Sequence, residues 1–283
     1  MPMYDPKIIE EHFDKFSEDE WGRLERTPSG KVQFHIHQHF LQRFIKKGDR
    51  ILEIGPGPGR FTIELAKLGA TVSVADISKE QLRLNEEKVR NAGFEDSIEW
   101  RRKLDILDLA GIPDNEYDST VVYGGPLSYV LEFVDDALEE VIRVTKPGGI
   151  IFTSVMSCLG TYHHLIRDVF EECDRLGLDK FDELTRTGDV IGDLAAKGTH
   201  QCHMFRWSEY RESISRHPVD ILTASAANYL SNGLFNEEYL IELSKDTEKW
   251  NMFLKWELDF CQEPGAIDGG THMIAILRKY LQE

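Results

Sequence analysis

An α/β architecture built on a doubly wound, mostly parallel sheet is predicted by three features of the sequence. From residue 48 onward, short apolar runs alternate with amphipathic helical stretches. The turns joining them are short. The first apolar run, ILEIGPGPGRF at residues 51–61, breaks into three alternating glycines, as a strand does when it turns sharply into a helix.

The elements follow in order. Residues 6 to about 20 read as an acidic amphipathic helix. Thr27-Pro28 reads as a helix start, with Thr27 as the cap and Pro28 in the first turn. Val32, Ile36, Phe40 and Phe44 then recur every four positions, with Leu41 and Ile45 beside them, until Gly48 ends the helix. Val32, Phe34 and Ile36 also alternate, so an extended reading stays open for that first half. Strands are predicted at 51–54, 71–75, 98–104, 119–123 and 150–156. Helices are predicted at 60–68, 79–91 and 135–145, the last stopped by Lys-Pro-Gly-Gly. After Met156 the rhythm breaks. Residues 157–218 are helical with no clear strand, VDILTASA restores one, 236–261 form a long helix, and GAIDGGTHMIAILRKY holds a last strand. No linker, repeat or low-complexity tract divides the chain, so 1–283 read as one domain: an N-terminal helical cap (1–47), a ligand-binding core (48–156), an insertion or lid (157–218) and a C-terminal completion of the sheet (219–283).

Composition narrows the function classes. The 283 residues are 41% hydrophobic and 29% charged, the balance of a globular protein. No apolar run approaches the roughly 18–20 residues of a membrane span, and MPMYDPKIIEEHFDKF has no export signal. Cys158, Cys173, Cys202 and Cys261 are scattered, with no Cys-x-x-Cys pair, which favours free thiols in a reducing cytoplasm. A formal charge of −17 repels polyanions, so neither nucleic acid nor an anionic membrane surface is an expected partner. The nearest basic stretch, KVQFHIHQHFLQRFIKKGDR, is modest.

The glycine turn discriminates among ligands. A dinucleotide fingerprint needs glycine where Arg60 stands, and a P-loop needs Gly-Lys-Ser/Thr, which is absent. What stands is Glu53-x-Gly55-x-Gly57-x-Gly59. In the same order come Asp76 closing VSVADIS, Asp105 in RRKLDILDL, the exit loop YDSTVVYGGPLSYV, and VIRVTKPGGIIFTSV. Over roughly residues 48–156 this series resembles the class I S-adenosylmethionine-dependent methyltransferases, and more loosely the small-molecule type of quinone biosynthesis. The resemblance implies a Rossmann-like, doubly wound seven-stranded sheet with N-terminal helices and a helical insertion after the fifth strand. It implies S-adenosylmethionine as cofactor and S-adenosylhomocysteine as product. It also implies that Glu53, Gly55, Gly57 and Gly59 organise the turn and the amino-acid end of the cofactor. Asp76 would accept from both ribose hydroxyls, Ile77 would pack on adenine, and Asp105 would take the adenine amino group with Ile106 beside it. Tyr123 and Gly124 would border the sulfonium.

The acceptor is less constrained. Residues 123–127 lack the Asn/Asp-Pro-Pro-aromatic signature of enzymes that methylate exocyclic or amide nitrogens of nucleic acids and proteins. With the charge, this points to a small-molecule acceptor, oxygen or nitrogen before carbon, and Gly124 and Gly125 would leave room for it. A base is needed only if the acceptor must lose a proton. Tyr123 and the histidines His163, His164, His200 and His203 are the candidates, and an ordinary packing or surface role competes for each histidine. His35, His37 and His39 alternate, but a helix separates His37 from the other two, so no metal site is expected. Trp21, Tyr162, Phe205 and Trp207 would wall the acceptor or simply fill the core. The rival readings are a catalytically silent cofactor sensor, a same-fold enzyme transferring another group, and a nicotinamide oxidoreductase.

Overall fold

Where the sequence predicts one acidic helix, the computed structural model has two, α1 (Pro6–Phe16) and α2 (Glu18–Arg23). The structure describes residues 4–16, 18–195, 200–233 and 237–281. Helix α3 (Pro28–Phe44) begins as its sequence dictates: the Thr27 side chain accepts from the Gly30 N–H at 3.0 Å, and Pro28 occupies the first turn. Val32, Ile36, Phe40 and Leu41 lie on its buried stripe, so the helical period wins over the alternation at 32–36.

Strand and helix then alternate. The order is β1 (Arg50–Ile54), α4 (Arg60–Lys67), β2 (Thr71–Asp76), α5 (Lys79–Asn91), β3 (Ile98–Lys103), β4 (Tyr117–Val122), α6 (Pro126–Tyr129), α7 (Val134–Val144) and β5 (Thr145–Met156). Beyond β5 come α8 (Cys158–Leu176), α9 (Leu178–Thr187), the paired two-residue strands β6 (Asp189–Val190) and β7 (Cys202–His203), and α10 (Trp207–Ser215). The chain closes with β8 (Val219–Ala226), α11 (Glu237–Leu243), α12 (Thr247–Cys261) and β9 (His272–Lys279).

The main sheet of the described residues has seven strands in the order β3-β2-β1-β4-β5-β9-β8. The first five are parallel, and β9 runs antiparallel between β5 and β8. Val72, Val74, Val121, Ile151 and Phe152 are fully buried, as expected of parallel strands covered on both faces. One face carries α7 and α10 over Leu52, Val122 and Ile151. The other carries α3 and α4 over Ile51, Val72 and Phe152, with α12 against it.

Three local departures from the sequence reading have physical causes. The insertion does contain strands, β6 and β7, but two-residue strands are too short to show an alternation. Strand β5 starts at Thr145, since Tyr117 of β4 pairs with Thr145 and the ladder resumes, after a register shift, at Ser119 and Ile150. The predicted helix over 236–261 is two helices. Asp246 interrupts it by accepting from the Lys249 N–H at 3.2 Å and capping α12; Asn236 itself lies outside the described residues.

The insertion is joined to the sheet by close backbone contact. Ser157 caps α8 at the Gly160 N–H (3.1 Å) and donates to the Asp268 carbonyl (2.8 Å). A β-carbon on Gly160 would fall on the Gly270 carbonyl. Asn232 donates to the carbonyls of Gly160 (3.0 Å) and Gly269 (2.6 Å). Nearby, buried Glu257 of α12 accepts the N–H groups of Tyr229, Leu230 and Ser231 at 3.0, 3.0 and 2.6 Å. The four cysteines are free and buried. Among the described residues no helix is long and apolar enough to cross a membrane.

Candidate active site

In an open parallel sheet ligands bind beyond the carboxyl ends of the strands. A cavity of about 260 Å³ opens there, at the ends of β1, β2, β3 and β4, with α1 and α2 lying over it. Gly55 and Gly57 line it in left-handed conformations (φ +67° and +54°). At Gly55 no other residue fits, because a β-carbon would stand 2.5 Å from Pro126 Cγ. The Gly55 N–H donates to the Ala75 carbonyl (2.8 Å) and the Gly57 N–H to Asp76 Oδ2 (3.1 Å), so the turn is pinned to the end of β2.

Gly59 does not line the cavity, contrary to the role the family pattern implies. It stands at the start of α4, where a β-carbon would meet Asn85 Nδ2 at 2.7 Å. Its work is to let α5 approach the turn.

The carboxylates differ in setting. Glu53 is buried and accepts from the Thr62 hydroxyl at 2.6 Å. Thr62 in turn accepts from Asn85 Nδ2 (2.9 Å), whose oxygen accepts from Arg101 Nε (2.9 Å). Burial pushes the Glu53 carboxyl up to about 8, against the Thr62 hydrogen bond and helped by the charge of Asp76. Burial likewise lifts Asp76 to about 6, opposed by the N–H groups of Ser78 (2.9 Å) and Gly57. Asp105 accepts from the Leu107 N–H (3.0 Å) and from the Tyr4 hydroxyl (2.7 Å). Ile77 and Ile106, each next in sequence to one of these aspartates, also line the cavity.

Tyr123 and Gly124 reach the cavity at the end of β4. The Tyr123 ring lies edge-on to His37, centroids 4.5 Å apart, and burial raises its phenol well above the usual range. A phenol so held keeps its proton. Gly124 is open, but the room beyond Gly125 is filled: a β-carbon there would stand 3.2 Å from the Tyr129 hydroxyl.

The structure separates the candidate histidines. His163 and His164 lie on α8 and do not line the cavity, and neither does His203. His203 is held between Asp189 Oδ1 (2.7 Å) and Glu209 Oε1 (2.8 Å). Burial would lower it, but the two carboxylates prevail and raise it to about 9, so it is a charged structural group rather than a base. His200, which follows the insertion's first strand, does line the cavity, its ring 4.8 Å from that of Tyr129. Burial, with His12 and Arg23 nearby, lowers it to about 4, and among the described residues its Nε2 meets no hydrogen-bond partner. His272 and His12 also line the cavity; sequence reasoning singled out neither. On α3, His37 turns inward and its Nδ1–H donates to the Gln33 carbonyl at 2.7 Å.

Of the four proposed aromatic walls, only Trp21 borders the cavity. Arg60 lies 3.8 Å over its indole, donates to its carbonyl at 2.6 Å and pairs with Glu25. The residue that spoils a dinucleotide fingerprint therefore holds the cap in place. Tyr162, Phe205 and Trp207 pack in the hydrophobic clusters, as the plainer reading of them has it.

Comparison with known proteins agrees with this geometry. Residues 51–149 match the family model described as a methyltransferase domain. The chain is 32% identical over 127 residues to the ubiquinone/menaquinone biosynthesis C-methyltransferase UbiE of Pasteurella multocida strain Pm70, covering 42% of this chain and 46% of that protein. It is 26% identical over 196 residues to UbiE of Cronobacter sakazakii, covering 65% and 71%. In the first alignment the chain thus spans about half the length of its relative. A solved S-adenosylmethionine-dependent methyltransferase of Methanosarcina mazei shares the fold, with a TM-score of 0.57, 19% identity, and coverage of 86% of this chain and 98% of that one.

Proposed function

The chain belongs to the class I S-adenosylmethionine-dependent methyltransferases, and on that premise we propose that it methylates a small-molecule acceptor by in-line displacement. One observation carries the reading. A single cavity gathers Glu53, Gly55, Gly57, Asp76, Ile77, Asp105, Ile106 and Gly124, and a backbone N–H of the glycine turn fixes one oxygen of Asp76.

These residues fit an adenosyl ligand. Each Asp76 oxygen receives one backbone N–H and keeps a lone pair for a ribose hydroxyl. Ile77 and Ile106 offer an apolar slot for a flat base, and Asp105 stands at its edge to accept from an amino group. Gly55 and Gly57 bring bare backbone to the amino-acid end. Bound there, S-adenosylmethionine supplies a methyl group already activated by the sulfonium.

What remains for the chain is to exclude water and to aim the acceptor. Phe13, Trp21 and Tyr129 wall the cavity beneath the cap. His200, neutral and with Nε2 meeting no partner among the described residues, can receive the proton of an acceptor that must lose one. An acceptor held through oxygen or nitrogen fits this arrangement. Carbon is the second reading, favoured by the C-methyltransferase relatives.

Calorimetry against S-adenosylmethionine, S-adenosylhomocysteine and NAD tests the cofactor half. Binding of the two adenosyl ligands without NAD is the expected result, and binding of NAD alone would overturn the reading. Product NMR after turnover with labelled cofactor then reports the atom methylated. A chain that binds the cofactor but transfers methyl to no acceptor in a metabolite pool would be a sensor instead.

A further inference from the structure

We propose that Arg23 is the carboxylate-binding residue of this cavity, presenting its two terminal nitrogens to a carboxylate carried either by the amino-acid end of the cofactor or by the acceptor. The inference deepens the methyltransferase reading and rests on it for the identity of the first source.

Among the described residues, only two arginines and no lysine line the cavity. Arg60 is engaged, by Glu25, the Trp21 carbonyl and the Trp21 indole. Arg23 is not. Its Nε donates to Glu20 Oε1 at 2.8 Å, and among the described residues its terminal nitrogens meet no acceptor. The side chain lies in the roof of the cavity, yet 34% of its surface stays accessible.

The position of this group is built rather than incidental. Arg23 closes α2, and the backbone that carries it rests directly on α3: a β-carbon on Gly30 would stand 2.8 Å from the Arg23 carbonyl oxygen. Arg23 Nη2 lies 3.9 Å from where a β-carbon on Gly124 would be, which places the fork over the end of β4. The charge of Arg23 reaches the imidazoles of His200 and His272 and helps keep both neutral. Among the described residues lining the cavity, no other cation with unengaged nitrogens therefore competes for an anion at this end. A guanidinium offers parallel N–H donors that match a carboxylate, and in an enclosed site unmet donors are costly. Glu20 holds the near side of the guanidinium and leaves the far side to a ligand.

Two affinity ratios test the proposal in the native chain, Arg23→Met and Arg23→Lys. The first compares S-adenosylhomocysteine with 5′-methylthioadenosine, the same nucleoside thioether without the amino-acid end. The second compares benzoate with benzamide, with S-adenosylhomocysteine at saturation. If the cofactor carries the carboxylate, Arg23→Met lowers the first ratio by about 10- to 100-fold, as expected for charge-assisted hydrogen bonds. Methylthioadenosine binding stays unchanged, and Arg23→Lys falls between. If the acceptor carries it, the first ratio holds and the benzoate preference falls by the same factor. Native ratios in both variants would overturn the proposal. Should Arg23→Met fail to fold, the same ratios in Arg23→Lys decide. Should no adenosyl ligand bind the native chain, the methyltransferase reading falls. The benzoate ratio of the ligand-free chain then still decides Arg23, and no preference lost in the variants would sink it.

Discussion

Replacing Glu53 with glutamine should remove a pH-dependent destabilisation that the native chain carries at the cavity. The folded carboxyl holds its proton up to about 8, whereas the unfolded chain releases it near 4.5. Between those values the folded state binds one proton more than the unfolded state, so stability falls as pH rises. The slope is about 1.36 kcal/mol per pH unit, and from pH 5 to 7 it amounts to about 3 kcal/mol. Glutamine has nearly the same shape, its oxygen can still accept from Thr62, and it has no proton to lose. Urea unfolding of both proteins at pH 5, 6 and 7, without ligand, measures the effect. The contribution of Asp76, which ends near pH 6, is present in both chains and cancels in the difference. The variant should gain on the native chain by about 3 kcal/mol across the range. A difference independent of pH would mean that Glu53 is ionised when folded, and the account of its burial would be wrong.

Asp76→Ala should weaken S-adenosylhomocysteine by about 1–3 kcal/mol, the scale of hydrogen bonds lost with a partner left unpaired, and an unchanged dissociation constant by calorimetry would remove Asp76 from the site. Because the ionised form is the better acceptor and Asp76 is lifted to about 6, native affinity should be full above that pH and decline below it. Glu257→Ala strands the three N–H groups that its carboxylate accepts and should cost about 3 kcal/mol in urea unfolding, with Glu257→Gln losing less; equal midpoints would show that water replaces the carboxylate. Gly160→Ala forces a methyl onto the Gly270 carbonyl and should destabilise by about 1–3 kcal/mol, and a variant as stable as the native chain would show that α8 can lift away from the sheet.

The parts of this molecule legible in its sequence are those coded by consecutive residues. The predicted 79–91 helix matches α5 end to end because Ser78 caps it and Gly93 follows it. The place of Gly55, Gly57, Asp76 and Asp105 at the cavity is readable because each follows or closes a strand whose carboxyl end the sequence marks. The cap is legible as a cover, through Trp21, but Glu20 and Arg23 belong to no pattern and reach the cavity only through tertiary packing. His272 likewise carries no sequence signal, and His200 stands in the sequence only as one candidate among several. Nothing in HQCH distinguishes His200 from His203; the pairing of β6 with β7 places one ring beside Asp189 and leaves the other at the cavity. The break before α12 was hidden because the apolar period runs through it, and a single aspartate cap outweighs that period.

Strand β9 is the last strand in chain order yet has a neighbour on each side, β5 and β8. During synthesis β5 therefore waits for more than a hundred residues for the strand that covers its edge, and β8, whose only ladder among the described residues is to β9, waits with it. The nascent core is exposed to association with other chains until residue 279 emerges. Lys279, at the end of that strand, then donates to the carbonyls of Ile142 (2.7 Å) and Thr145 (2.8 Å) at the close of α7. The sheet thus receives this tie from β9, and a ribosome stalled before β9 is made would leave both β5 and β8 without their shared neighbour.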